Sequence, residues 1–148
     1  MQPDRLYALV DGLLYTRAAR PESLVRTAHA IALFDGTQDA SLADAGPWLI
    51  DCDEAMPSWR KRLNELAAGP VGVSWLISND TPELLARALR ERLDIRMPDG
   101  RLAWLRFHDA QIMSDIVTVL SPSQRMQFFA PVVEWLVEIN GALTRIFH

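Results

Sequence analysis

Cysteine is nearly missing. Cys52 is the single thiol of the chain, which excludes an internal disulfide and any metal site built on clustered cysteines. Lysine is as scarce: Lys61 stands alone among fifteen basic residues, a bias that more often reflects genomic base composition than function, though arginine suits protein interfaces. Nor is there a basic excess. A net charge of −4 argues against a nucleic-acid binder, which usually carries a basic patch. No apolar run approaches the roughly 18–20 residues that cross a bilayer. The start, Met1-Gln2-Pro3-Asp4-Arg5, lacks the basic-then-apolar pattern of a signal peptide. These absences predict a soluble cytoplasmic protein that neither binds nucleic acid nor inserts into a membrane.

Catalytic and metal motifs are missing too. The three histidines, His29, His108 and His148, form no paired motif, so the three or four ligands of a metal site are not in view. No G-x-S-x-G turn presents a serine, and no glycine-rich run joins a strand to a helix to cradle phosphate. Cys52 sits between Asp51 and Asp53, an acidic setting that disfavours a thiolate. No cofactor and no metal are expected.

What remains is an ordinary globular chain of 148 residues, 49% hydrophobic, enough for one domain over residues 1–148 with a real core. Alternation predicts strands at Leu6–Asp11, Pro47–Cys52 and Val71–Ser78. Apolar spacing predicts helices over Glu22–Phe34, Ser58–Leu66 and Ile112–Leu120. Asn79-Asp80-Thr81-Pro82-Glu83 starts another helix that runs through Leu93. Ser121-Pro122-Ser123-Gln124 reads as a capping box.

Two hairpins are expected. Pro98-Asp99-Gly100 is a tight-turn sequence, and the limb after it, Arg101 to His108, carries large apolar groups on both faces, which places it inside a sheet. On that reading Trp104 and Phe107 are core residues on opposite faces. Asn140-Gly141 lies between two alternating runs and predicts a closing hairpin with a two-residue type I′ turn. The fold class is therefore α/β: one domain, a mixed β-sheet with two hairpins, and several short helices packed on it.

Two charged stretches stand out. Asp35 to Glu54 holds six acids and no Lys or Arg, while Arg87 to Arg106 holds six arginines against three acids. Each reads either as a solvated face or as a docking surface with steering charge. The five tryptophans divide the same way between core and binding hot spot. Trp48, at a loop edge after Gly46-Pro47, is expected to be the most exposed of them. The candidate partner-binding residues are Trp48, Arg87, Arg90, Arg92, Arg106 and Asp109.

Five blocks in order carry a resemblance: L-Y-A-L-V-D, A-G-P-W-L-I, V-G-V-S-W-L-I-S, M-P-D-G-R-x-x-x-L-R-F-H-D and F-F-A-P-V-V-E-W-L. Over Leu6 to about Phe147 the chain resembles a bacterial domain family, formerly of unknown function, that acts as effector adaptor or chaperone in type VI secretion. The family's R-F-x-D-P matches at Arg106, Phe107 and Asp109, with Ala110 in place of proline; Ala130 replaces a usual glycine. The resemblance implies a non-enzymatic helper whose partners are a toxin effector, usually encoded nearby, and the spike-tip protein it is loaded onto. Many members continue into a carboxyl-terminal lobe implicated in effector choice. Arg106 and Asp109 are expected to buttress the sheet rim. A different class remains open beside this one: a small hydrolase or nucleotide-dependent enzyme in which Asp11, Asp51, Ser78 and His108 converge at the strand carboxyl ends.

Overall fold

A computed structural model describes residues 3–19, 23–96, 102–104 and 107–147. The expected α/β class holds. Eight strands and five α-helices are described: β1 (Arg5–Asp11), α1 (Gly12–Ala19), β2 (Ala30–Ala32), β3 (Pro47–Asp51), α2 (Pro57–Ala68), β4 (Val73–Ser78) and α3 (Pro82–Arg90), then β5 (Asp94–Arg96), β6 (Leu102–Trp104), α4 (Ala110–Val119), α5 (Pro122–Phe129), β7 (Glu134–Ile139) and β8 (Ala142–Phe147). A 3-10 turn, Ala40–Ala45, fills the polar loop before β3.

Six strands form one sheet in the order β2-β3-β1-β4-β7-β8. Every pairing in it is antiparallel, so the sheet is not the mixed one expected. The register sorts the side chains. Tyr7, Leu9, Leu49, Leu76, Trp135 and Val137 share one face, and Ala8, Val10, Trp48, Ile50, Trp75 and Leu136 share the other.

The first face is closed. Phe128 and Phe129, both on α5, and Phe107 all meet Trp135 with ring centroids 5.7–6.1 Å apart, a cluster whose edge-on and tilted geometry suits aromatic quadrupoles. Phe147 stacks on Phe129 at 4.6 Å and ties β8 to the same core. The second face is covered by α1 and α2 over only part of its width, with Trp59 and Leu63 of α2 buried.

Several local expectations fail for tertiary reasons. The helix expected over Glu22–Phe34 is absent from its described part, because Ala30–Ala32 pairs with Ile50–Trp48 as β2. The helix lies earlier, at α1, where Asp11 Oδ1 accepts from the Leu14 amide at 3.0 Å. Gly12 opens this helix; a Cβ there would clash with the Asp44 carbonyl oxygen. Among the described residues β5 and β6 pair only with each other, so Leu102–Trp104 lies outside the six-stranded sheet and not at its centre. The expected turn, Pro98-Asp99-Gly100, lies outside the described residues, as does the side chain of Trp104. Phe107 is fully buried but follows the strand instead of belonging to it. Leu84 on α3 and Val119 on α4 are apolar yet about half exposed.

The closing hairpin forms as expected. Asn140 at φ 53° and Gly141 at φ 76° make the two positive-φ positions of a type I′ turn. Their amides donate to the Gly69 and Ala67 carbonyls at 2.8 and 3.0 Å, which pins the turn to the end of α2. The capping box at Ser121 is complete in both directions.

Candidate functional site

The sheet's second face carries one of two concavities of similar size. Where α2 stops covering that face, a groove of about 260 Å³ opens between α2 and β1, β4, β7 and β8, walled by Leu6, Leu63, Trp75, Leu136 and Leu143. Arg60, Asn64 and Glu138 add polar groups to the wall. The Trp75 indole donates to Glu138 Oε1 at 3.1 Å, and Arg145 pairs with Glu134 at 3.0 Å on the same face. Cys52, also in the wall, is buried, and desolvation pushes its thiol up to about 12. A thiol held that high is a packing group and not a nucleophile.

A second concavity, also about 260 Å³, lies at the other end of β1, against Asp11, Leu13, Phe34, Leu42 and His108. There His108 Nε2 is 3.4 Å from Asp11 Oδ2. The histidine is 4% exposed, and its Nδ1 has no hydrogen-bond partner among the described residues. Asp51 and Ser78 are not nearby. In an antiparallel sheet the carboxyl ends of neighbouring strands fall at opposite edges: Asp11 pairs with Pro47, whereas Asp51 pairs with Tyr7 and Ser78 with Arg5. Asp51 is buried, accepts from Arg5 at 3.1 Å and lies 3.8 Å from His29 Nδ1. Ser78 Oγ donates to the Pro131 carbonyl at 2.6 Å and accepts from the Asp80 amide. Among the described residues no group of three or more His, Cys, Asp or Glu is placed to hold a metal ion.

The candidate partner-binding residues scatter. Trp48 is 2% exposed, the reverse of the expectation. Its indole donates to the Asp44 carbonyl at 3.1 Å, and the Arg26 guanidinium lies 5.2 Å from its ring. Arg90 reaches back to the Leu33 and Ala32 carbonyls at 2.9 and 3.4 Å. Arg92 bonds the carbonyls of Phe128, Gln127 and Ala88 at 2.6–2.8 Å, and desolvation lowers its pKa. Both guanidiniums therefore lace α3 to the rest of the fold. Arg87 is exposed. Asp109 caps α4, accepting from the Gln111 amide at 2.9 Å. Arg106 lies outside the described residues.

Residues 6–127 match the family described as Domain of unknown function (DUF4123). The chain belongs to this family. The matched segment runs from β1 into α5 and stops short of the β7–β8 hairpin, which nonetheless completes the sheet. No curated protein and no solved structure matches the chain. No helix among the described residues is long and apolar enough to cross a membrane.

Sequence reasoning missed the groove. Its wall draws on β1, α2, β4, β7 and β8, and no local pattern signals that α2 leaves part of a sheet face open. The one available signal was the alternation of Leu136 and Leu143 on the β7–β8 hairpin, which places both on one face once the turn is known.

Proposed function

We propose that this domain is a non-enzymatic adaptor that holds a toxin effector in the cytoplasm and helps load it onto the spike-tip protein of a type VI secretion system. The family resemblance supplies the partners. The observation that carries the reading is the contrast between the two concavities. The groove beside α2 lies over sheet residues of four strands, β1, β4, β7 and β8, with Leu6, Trp75, Leu136 and Leu143 in its wall, the kind of surface that marks a protein contact. The four groups that an enzyme reading needs together are divided between opposite sheet edges.

The enzyme reading keeps one specific observation, the His108–Asp11 contact. A carboxylate and an imidazole orient each other, but general acid–base work also needs a reacting group within reach, and among the described residues no hydroxyl or thiol lies in that wall. The adaptor reading is tested by co-purifying the chain with the polypeptide encoded beside it and with the spike-tip protein. A stable complex with either at micromolar concentration is expected. Retention of neither overturns the reading.

A further inference from the structure

The two edges of the sheet are treated differently. β2, at one edge, is three residues long, and the Arg90 guanidinium occupies its Ala32 carbonyl and the adjoining Leu33 carbonyl. β8, at the other edge, is six residues long with its first four exposed. It has no proline and no partner strand on its outer side among the described residues. Natural sheets blunt a long edge with proline, inward charge or a covering element. The bulge that shifts the register between Trp135 and Leu136 falls near the far end of β8, leaving Ala142–Arg145 in regular pairing.

The register says which backbone groups are free. A two-residue turn makes Ile139 and Ala142 the first hydrogen-bonded pair, and alternation then directs Thr144 toward Val137. The N–H and C=O of Leu143 and Arg145 point away from β7. No hydrogen bond to either group occurs among the described residues. The side chains of the same two residues lie on the open face: Leu143, 59% exposed, lines the groove, and Arg145, 54% exposed at its side chain, pairs with Glu134 among the described residues.

We infer that β8 is a strand-addition site that takes an extended segment of the bound polypeptide, with an apolar residue opposite Leu143 and an acidic residue opposite Arg145. The inference rests on the adaptor reading and names how the cargo is held. Main-chain bonds to Leu143 and Arg145 supply affinity, and side chains on alternate positions supply choice. An apolar residue opposite Leu143 extends the groove wall outward from Leu136 and Trp75. A carboxylate opposite Arg145 complements a guanidinium that is still half exposed. The hairpin lies beyond the segment matched by the family, so it is an element through which this chain's own partner can be chosen.

The test uses the full chain and the polypeptide encoded beside it, with amide hydrogen exchange read at single residues. In the free chain the Leu143 and Arg145 amides are expected to exchange quickly and the Thr144 amide slowly; in the complex all three slow. Leu143→Pro removes an outward donor and leaves the β7 ladder intact, so it is expected to fold and to weaken binding about tenfold or more. Should that variant fail to fold, the exchange pattern of the unsubstituted chain decides alone. A complex in which Leu143 and Arg145 exchange as fast as in the free chain overturns strand addition and leaves the adaptor reading standing. Slow, concentration-dependent exchange in the free chain assigns the edge to a second copy and overturns the inference as stated. Absence of any complex overturns the adaptor reading, and strand addition of cargo with it.

Discussion

Gly12 and Gly141 are required for different reasons, and substitutions separate them. At Gly12 a Cβ would clash with the Asp44 carbonyl and meet the Trp48 indole at 2.7 Å, so the cost is steric and falls on the core. Gly12→Ala is expected to destabilise the domain by about 1–3 kcal/mol, as overpacking does. At Gly141 nothing lies within 4 Å of a built Cβ, and the cost is the positive φ alone. Gly141→Val is expected to cost about 1–2 kcal/mol. Denaturant titration of the two variants checks both, and a neutral Gly12→Ala would mean that the 3-10 turn carrying Asp44 yields.

Cys52 and Tyr7 make a linked prediction about pH. Desolvation raises Cys52 to about 12, and it also raises Tyr7 to about 12, with the nearby Asp51 charge adding to the shift. The Tyr7 hydroxyl donates to the Asp80 carbonyl at 2.6 Å, a bond only the neutral form can donate. Both groups ionise in the unfolded chain before they ionise in the folded one. The unfolded state then binds fewer protons, and stability falls as pH rises. The loss is expected to begin near pH 9, where an unfolded thiol titrates, and to continue toward pH 12. Urea midpoints measured at pH 8, 9.5 and 10.5 should decline, and the decline should be shallower in Cys52→Ala. An equal decline in both proteins would remove Cys52 from the account.

At the scale of elements, α3 shows how little its charge pattern says about its role. The arginine-rich stretch reads as a docking face, yet Arg90 and Arg92 spend their guanidiniums on carbonyls of β2, the residue after it, α3 and α5. Arg92→Ala is expected to lose about 1.5–3 kcal/mol, the range for bonds from a charged donor, whereas Arg87→Ala should stay within about 0.5 kcal/mol of the parent protein. Thermal melts of the two variants test this, and equal melting temperatures would return α3 to the surface reading. Elements whose signals are local were legible: the Asn140-Gly141 turn, the Ser121 capping box and the Thr81 cap all stand where spacing puts them. Those set by distant partners were not. Ile31 and Ala32 have helical spacing with Leu24 and Ala28, but pairing with β3 decides their state. Trp48 follows a loop, but α1 and the 3-10 turn close over it. The open half-face was illegible for the same reason, since it depends on where α2 ends relative to four strands.

Across the whole molecule, several charges of the two stretches have partners within the fold, while Asp44, Asp53 and Glu54 remain exposed. Asp35 and Asp44 both bond Arg26 at 2.7–2.8 Å, which pushes the Arg26 pKa up and, by that hydrogen bond, Asp35 down. Asp51 holds Arg5, and Arg90 and Arg92 are occupied with carbonyls. What is left to steer a partner is a modest excess of acid, net −4 over the chain, with Arg87 among the exposed bases. Electrostatic steering accelerates association by about 10–10³-fold when one sign of charge is concentrated at the contact. Here the gain is expected at the bottom of that range, so raising salt from about 50 to 500 mM should slow complex formation by less than about tenfold. Reversing Arg87 to Glu should change the rate by about threefold or less at low salt and leave dissociation unchanged, because a rim charge acts on encounter and not on the docked state. Stopped-flow mixing of the chain with its neighbouring polypeptide at several salt concentrations reads both rates. A hundredfold salt effect, or a strong effect of Arg87→Glu on dissociation, would place the contact on α3 and away from the open half of the sheet.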